Sequence, residues 1–289
     1  MIRILLAVFL SLNFVACGSG GSDSEEGKSQ EKQKPQEAVK QSPSLVDGNQ
    51  STPKPEIANK NVSLSACISA HLQAQNTSKA QLKKLSCEKI TDSSFALLSD
   101  LTSLTSLRIT DTNLSANEVE SIATHINQAQ MLSLILERDN LNKARVDKLD
   151  PNFSYSNKHY KNLTHLSLKD NIVEGLLVVD YFPALVSLDL RGNIFPSNRL
   201  HHINAIDNLK TFYVGDNPHI QNFNDMQGAP KAEASIETMD ISNLAALDDI
   251  SELLEFQSLH TLTIDNTQLS QFTQTLLDLR AKGVQIKTP

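Results

Sequence analysis

Leu163-Thr-His-Leu166-Ser-Leu168-Lys-Asp-Asn171-Ile-Val173 and Leu185-Val-Ser-Leu188-Asp-Leu190-Arg-Gly-Asn193-Ile-Phe195 are two copies of one phrase. Leucine stands at its first, fourth and sixth positions, and asparagine at its ninth. Leu209-Lys-Thr-Phe212-Tyr-Val214-Gly-Asp-Asn217 keeps the pattern with Phe and Val substituted. The alternation of Leu166 and Leu168 about Ser167 has the period of a short strand with one buried face. The asparagine marks a turn, where its side chain can satisfy backbone groups opened by the bend.

Working outward, the first position recurs at Leu82, Leu104, Met131, Leu163, Leu185, Leu209, Ile236 and Leu259, in steps of 22 to 32 residues. One such strand cannot bury its apolar face alone, but stacked neighbours bury a continuous core. The ninth position holds Asn171, Asn193 and Asn217, but Thr112, Asp139 and Thr267 elsewhere. In the repeat from Ile236 it holds Leu244, with Asn243 one residue early, which predicts a local irregularity. Val284-Gln-Ile286 reads as a ninth, closing strand with Ala281 as its first position.

These residues resemble the bacterial leucine-rich repeat proteins. The resemblance implies an α/β solenoid: a curved horseshoe with a parallel sheet on its concave side and mixed helical and extended returns on its convex side. Residues 61–81 read as a helical N-terminal cap, 82–280 as the repeats and 281–289 as the closing strand. Ser115-Ala-Asn-Glu118 is a capping box, followed by Val119, Ile122, Ala123 and Ile126 on one helix face. Ser270 is placed to cap a helix carrying Phe272, Leu276 and Leu279, with Gly283 as its stop. The longest step, from Met131 to Leu163, carries an insertion with Phe153, Tyr155, His159 and Tyr160. Two readings stand for these aromatics: a binding protrusion, or a cover over the convex core.

The N-terminus has a different character. Arg3 precedes an apolar run, Ile4 to Ala16, too short to span a bilayer as a helix. Phe14-Val15-Ala16-Cys17 resembles a bacterial lipobox, with Phe14 where the family usually has Leu. The resemblance implies that residues 1–17 are a lipoprotein signal and that Cys17 carries a lipid anchor; an ordinary cleaved signal is the other reading. Residues 18–60, rich in Gly, Ser, Gln, Lys, Glu and Pro, predict a disordered tether. Gly18 after Cys17 resembles outer-membrane sorting, and Ser22-Asp23-Ser24-Glu25-Glu26 resembles the tethers of some surface lipoproteins. The expected location is the bacterial cell envelope.

With Cys17 assigned to lipid, Cys67 and Cys87 are left in an oxidising compartment. Cys67 shares a helical apolar face with Leu64, Ile68 and Leu72, and Cys87 holds the sixth position of the first repeat. A disulfide between them would pin the cap to the first strand; two buried free thiols are the alternative.

The net charge of -7 argues against a nucleic-acid partner, which calls for a basic stripe. The absence of Trp and an aromatic content of 5% argue against an aromatic-lined small-molecule pocket. No phosphate loop, nucleophile elbow or zinc motif occurs, and the chain is read as non-enzymatic with no cofactor or metal. The informative columns are the fifth and seventh positions, which face the concave side. Lys169, Asp189, Arg191 and Tyr213 fall there on neighbouring strands. Arg and Tyr are favoured at binding hot spots, so these four form the candidate partner-binding patch; an ordinary polar surface is the competing reading. Internalin-like relatives use this face against host proteins. The expected function is therefore membrane-anchored protein interaction, with adhesion as one form of it. A structural or regulatory envelope lipoprotein with a periplasmic protein partner is the alternative.

Overall fold

The computed structural model describes residues 62–92, 94–150, 160–176, 182–226 and 230–289. The expected signal with Cys17, the tether, and Phe153, Tyr155 and His159 lie outside the described residues. All described residues belong to one compact unit, Ile57–Pro289.

Positions three to five of every repeat form a strand. These are β1 (Lys84–Glu88), β2 (Ser106–Thr110), β3 (Ser133–Glu137), β4 (His165–Ser167), β5 (Ser187–Asp189), β6 (Thr211–Tyr213), β7 (Thr238–Asp240), β8 (Thr261–Thr263) and β9 (Gln285–Lys287). They make one parallel sheet in chain order. The register is strict: Leu85, Leu107, Leu134 and Leu166 stack at the fourth position, continued by Leu188, Phe212, Met239 and Leu262. Each is buried, as are the first- and sixth-position residues from Leu82 and Cys87 to Leu259 and Ile264. A one-residue slip would turn this whole column to solvent, which is why the spacing within the phrase is so regular. The architecture is a leucine-rich repeat solenoid.

The ninth position holds the repeats together where the strands end. Asn171 Oδ1 accepts from the Asp139 N–H at 2.9 Å and the Leu141 N–H at 3.0 Å. Its Nδ2 donates to the carbonyls of Leu136 and Leu168 at 2.9 and 2.8 Å. Asn193 and Asn217 repeat the arrangement one and two turns on. The residue just before is left-handed in seven repeats: Lys89, Asp111, Arg138, Asp170, Asp216 and Asn243 have φ between 53° and 58°, and Gly192 has φ 64°. Asp and Asn tolerate that conformation better than most side chains, which explains their frequency there. Asn243 is thus an eighth-position residue. Its side chain bonds Asp216 Oδ1 at 2.7 Å instead of entering the core, and buried Leu244 fills the interior place.

The returns differ in length and hence in structure. The helices are α1 (Leu64–Gln75), α2 (Ala116–His125), α3 (Lys143–Val146), α4 (Pro230–Ser235), α5 (Asn266–Gln271) and α6 (Thr273–Ala281), with short 3₁₀ turns in most other returns. The Ser115–Glu118 capping box opens α2, and Val119, Ile122 and Ala123 are buried. At the other end the structure departs from the spacing. The stretch divides into two helices: Asp265 caps α5, its carboxylate accepting from the Thr267 and Gln268 N–H groups with Gln268 completing a capping box, whereas α6, which carries Leu276 and Leu279, starts after Phe272 with no side-chain cap. A carboxylate at a helix start gains from the aligned peptide dipoles as well, and Ser270 ends up inside α5. Ala281 is the last residue of α6, so it cannot open a strand. Gly283, at φ 92°, ends the helix with N–H bonds from Gly283 to Arg280 and from Val284 to Leu279. β9 then pairs Ile286 with Leu262, two residues later than the spacing predicts. A shift of two preserves the alternation, so Val284 is still buried.

Tyr160 belongs to the core: it is fully buried and packs edge-on against Phe182 at 5.4 Å. At the N-terminal end, α1 starts at Ser63, whose hydroxyl accepts from the Ala66 N–H at 3.1 Å, and buries Leu64, Cys67 and Ile68. The Cys67–Cys87 disulfide joins α1 to β1 across a Cα–Cα distance of 6.0 Å. Closing a loop of this length stabilises by roughly 3 kcal/mol, mainly by restricting the unfolded chain. The variant Cys67→Ala/Cys87→Ala is therefore expected to lose about that much in urea unfolding; an unchanged midpoint would show that packing alone holds the cap.

Candidate functional site

The repeated register aligns the fifth positions of β5, β6 and β7, so Asp189, Tyr213 and Asp240 lie side by side. Arg191, two residues beyond Asp189, folds back over them. Its Nε and Nη2 donate to the two Asp189 oxygens at 3.0 and 2.6 Å, a bidentate pair. Its Nη1 reaches Asp240 Oδ2 at 3.4 Å, and the guanidinium carbon sits 4.8 Å from the Tyr213 ring centroid. The hydrogen bond to Asp189 holds the Arg191 guanidinium well above its ordinary value, helped by Asp240 and Tyr213. Asp240 is fixed in turn: its Oδ1 accepts from the Ser242 N–H at 3.0 Å and the Ser242 hydroxyl at 2.6 Å.

Gly215 makes this crossing possible. It holds the seventh position between Arg191 and Ser242, and a Cβ there would lie 2.8 Å from the Ser242 carbonyl and 3.2 Å from Asp240 Oδ1. Any other residue would push apart the groups that position Asp240.

The structure thus brings together three of the four candidate residues, Asp189, Arg191 and Tyr213. It adds Asp240 and Ser242, which the column pattern contained but did not single out. Lys169 is turned elsewhere, with its Nζ 3.7 Å from Asp170. A guanidinium clamped this way loses little side-chain freedom on binding, which is the property of a pre-organised contact. Two carboxylates against one guanidinium leave the cluster with an excess negative charge.

A second polar group occupies the N-terminal half of the same face. Arg108 pairs with Glu137 at 3.0 Å, and Glu137 accepts from the Ser167 hydroxyl at 2.5 Å. At the strand ends, Arg138 forms a bidentate pair with Asp111, both bonds 2.8 Å; it holds the Asp111 carboxyl below the usual carboxylate range. Among the described residues no group of three or more His, Cys, Asp or Glu side chains is placed to hold a metal ion. His165 lies exposed on β4 beside the Thr164 hydroxyl at 2.8 Å.

No family model matches the chain, and no curated protein matches it in sequence. Solved structures do. A chain of the yeast Rad7 and Elc1 complex is 14% identical with a TM-score of 0.49, covering 65% of this chain and 50% of its own length. An internalin of Listeria monocytogenes is 16% identical with a TM-score of 0.43, covering 79% and 66%. A leucine-rich repeat protein of Leptospira interrogans is 16% identical with a TM-score of 0.44, covering 76% and 57%. The chain therefore spans less than two thirds of the length of each.

Proposed function

We propose that this chain is a non-enzymatic protein-interaction module, held at a bacterial envelope by a lipid on Cys17, that takes a polypeptide partner on its concave face. The observation that carries the reading is the clamped Arg191 over Tyr213, flanked by the hydroxyl side chains of the third positions. Ser187, Thr211, Thr238 and Thr261 line the third positions beside it, so an approaching partner meets short hydroxyl side chains around a net-negative cluster of one clamped guanidinium, two carboxylates and one ring. The lipid anchor rests on the lipobox-like Phe14-Val15-Ala16-Cys17, and the envelope location rests on the same residues.

Tyr213 and Arg191 are expected to behave differently as probes. Tyr213→Ala removes a partly exposed ring and should change stability by less than about 1 kcal/mol. Arg191→Ala strips Asp189 and Asp240, whose side chains are 14% and 10% exposed, of their partner, and should lower stability by about 1–2 kcal/mol. Tyr213→Ala is therefore the clean binding variant. Cross-linking to a polypeptide partner that is as strong in a folded Tyr213→Ala chain as in the parent would remove the cluster from the interface. Protease shaving of intact cells tests the location. Loss of the repeats without lysis is expected for an outward-facing adhesin. Protection until the envelope is opened would assign the partner to the periplasm.

A further inference from the structure

We propose that a hollow between α1 and the first two strands is a subsite for a basic side chain, lysine or arginine, of the polypeptide taken by the concave face. The proposal rests on that reading of the face. The hollow has a volume of about 340 Å³ and is lined by Ala66, Ala70 and His71 of α1 and by Ser86, Glu88 and Arg108 of the sheet, with the Cys67–Cys87 disulfide behind them. This is near the lower end of volumes that hold small ligands, and suits one long side chain rather than an extended cofactor.

The hollow exists because α1 turns its smallest side chains this way. Ala66 and Ala70 are one helical turn apart and both exposed, so they bring only methyl groups to the wall. The charges decide the occupant. Arg108 is neutralised by Glu137 at 3.0 Å. The His71 ring is engaged through Nδ1, 3.0 Å from the Cys67 carbonyl. The Glu88 side chain makes no hydrogen bond or ion pair among the described residues. Its carboxylate is the unmatched charge of the wall. Apolar sides with one free carboxylate fit a cation carried on a methylene stem, since lysine and arginine lay the stem on apolar surface and keep the charged head at a polar edge.

Ser86 and Arg108 hold the fifth positions of β1 and β2, the column that carries Asp189 and Tyr213 further along. Five strand spacings separate β1 from β6, roughly 24 Å. An extended polypeptide crosses that distance in about seven residues. One segment of the partner, with a basic residue some seven positions from the residue that meets Tyr213, would fill both places.

The test is a titration of the full chain, followed by NMR at the Ala66 and Ala70 methyl groups. The probes are the Nα-acetyl amides of arginine, lysine, norleucine and glutamate. Saturable shifts are expected with arginine and lysine. Norleucine and glutamate are expected to bind at least fivefold more weakly. Glu88→Gln should weaken the arginine probe at least fivefold, and Ala70→Trp, which fills the hollow from an exposed helix position, should abolish its binding. Absence of saturable shifts, equal binding of all four probes, or indifference to Glu88→Gln would overturn the proposal. These probes are read far from Tyr213. Their failure together with a loss of partner cross-linking in Tyr213→Ala would discard the subsite and leave the concave-face reading in place.

Discussion

Asn193→Ala is expected to lower the stability of the repeat domain by about 3–5 kcal/mol, more than any single change on its surface. Asn193 is 2% exposed. Its Oδ1 accepts the Val173 N–H at 2.9 Å, and its Nδ2 donates to the carbonyls of Leu168 and Leu190 at 3.0 and 2.9 Å, and to Arg191 at 3.1 Å. Alanine would leave one N–H with no acceptor and remove one hydrogen bond from each of three carbonyls. Each buried group left unsatisfied costs about 1–3 kcal/mol. The sum is softened because Leu168 also accepts from Asn171 and Leu190 also accepts from Asn217. That sharing has its own consequence: Asn193→Ala and Asn217→Ala should not add, since the second removes the remaining bond to Leu190. Urea unfolding of the two single variants and the double variant measures both effects. A loss below about 1 kcal/mol for Asn193→Ala would mean that the ladder is not what holds the strand ends together.

The reverse effect is expected at Asp139, which occupies the ninth position of the third repeat. Asp139 is fully buried. Its Oδ1 accepts the Thr112 N–H at 2.7 Å, but its Oδ2 is buried without a hydrogen-bond partner. In the next three repeats that side of the group is an amide that donates to carbonyls. Burial pushes the Asp139 carboxyl up to about 7; the Thr112 N–H opposes the shift, Asp111 adds to it and Arg138 offsets it. Asp111 and Arg138 are paired with each other, and Lys169 and Asp170 of the next repeat are paired too. Below the ordinary value of 3.8 the carboxyl is protonated in both folded and unfolded chains and exacts nothing. Between 3.8 and about 7 the unfolded chain has released a proton that the folded chain still holds, so stability falls as pH rises. Above about 7 the loss is complete, on the order of 4 kcal/mol. Asp139→Asn supplies the missing donors and carries no charge. It should flatten this pH dependence and raise stability at pH 8 while changing little near pH 4. A variant no more stable than the parent at pH 8 would contradict the assignment.

Much of the fold is written in the period of the leucines, because burial of one strand face admits a single register. The capping box at Ser115 is legible for a similar reason, since both of its partners lie within four residues. The C-terminal end was not legible. Ser270 is chemically able to cap the helix of Leu276 and Leu279, but α5, capped by Asp265, takes it in, and the break at Phe272 leaves α6 with no side-chain cap. Ala281 was lost to α6, whose length no strand spacing records. In the site, the fifth- and seventh-position columns placed Asp189, Arg191 and Tyr213 on one surface correctly. The columns could not show that Arg191 reaches past its neighbouring repeat to Asp240, or that Lys169 turns to Asp170. The one signal available was Gly215, a gap in a column otherwise filled by side chains. The left-handed eighth position also left a trace, in the Asp-Asn and Gly-Asn pairs that close the best repeats.

Site-specific photo-crosslinking in intact cells tests the central claim most directly. A photoreactive residue at Thr211 or Tyr213 probes the concave sheet, and one at Leu277, 50% exposed on α6, probes the return side. The concave positions are expected to yield a defined polypeptide adduct that the Leu277 position does not. Adducts confined to Leu277, or equal on both faces, would contradict a concave-face protein-binding module.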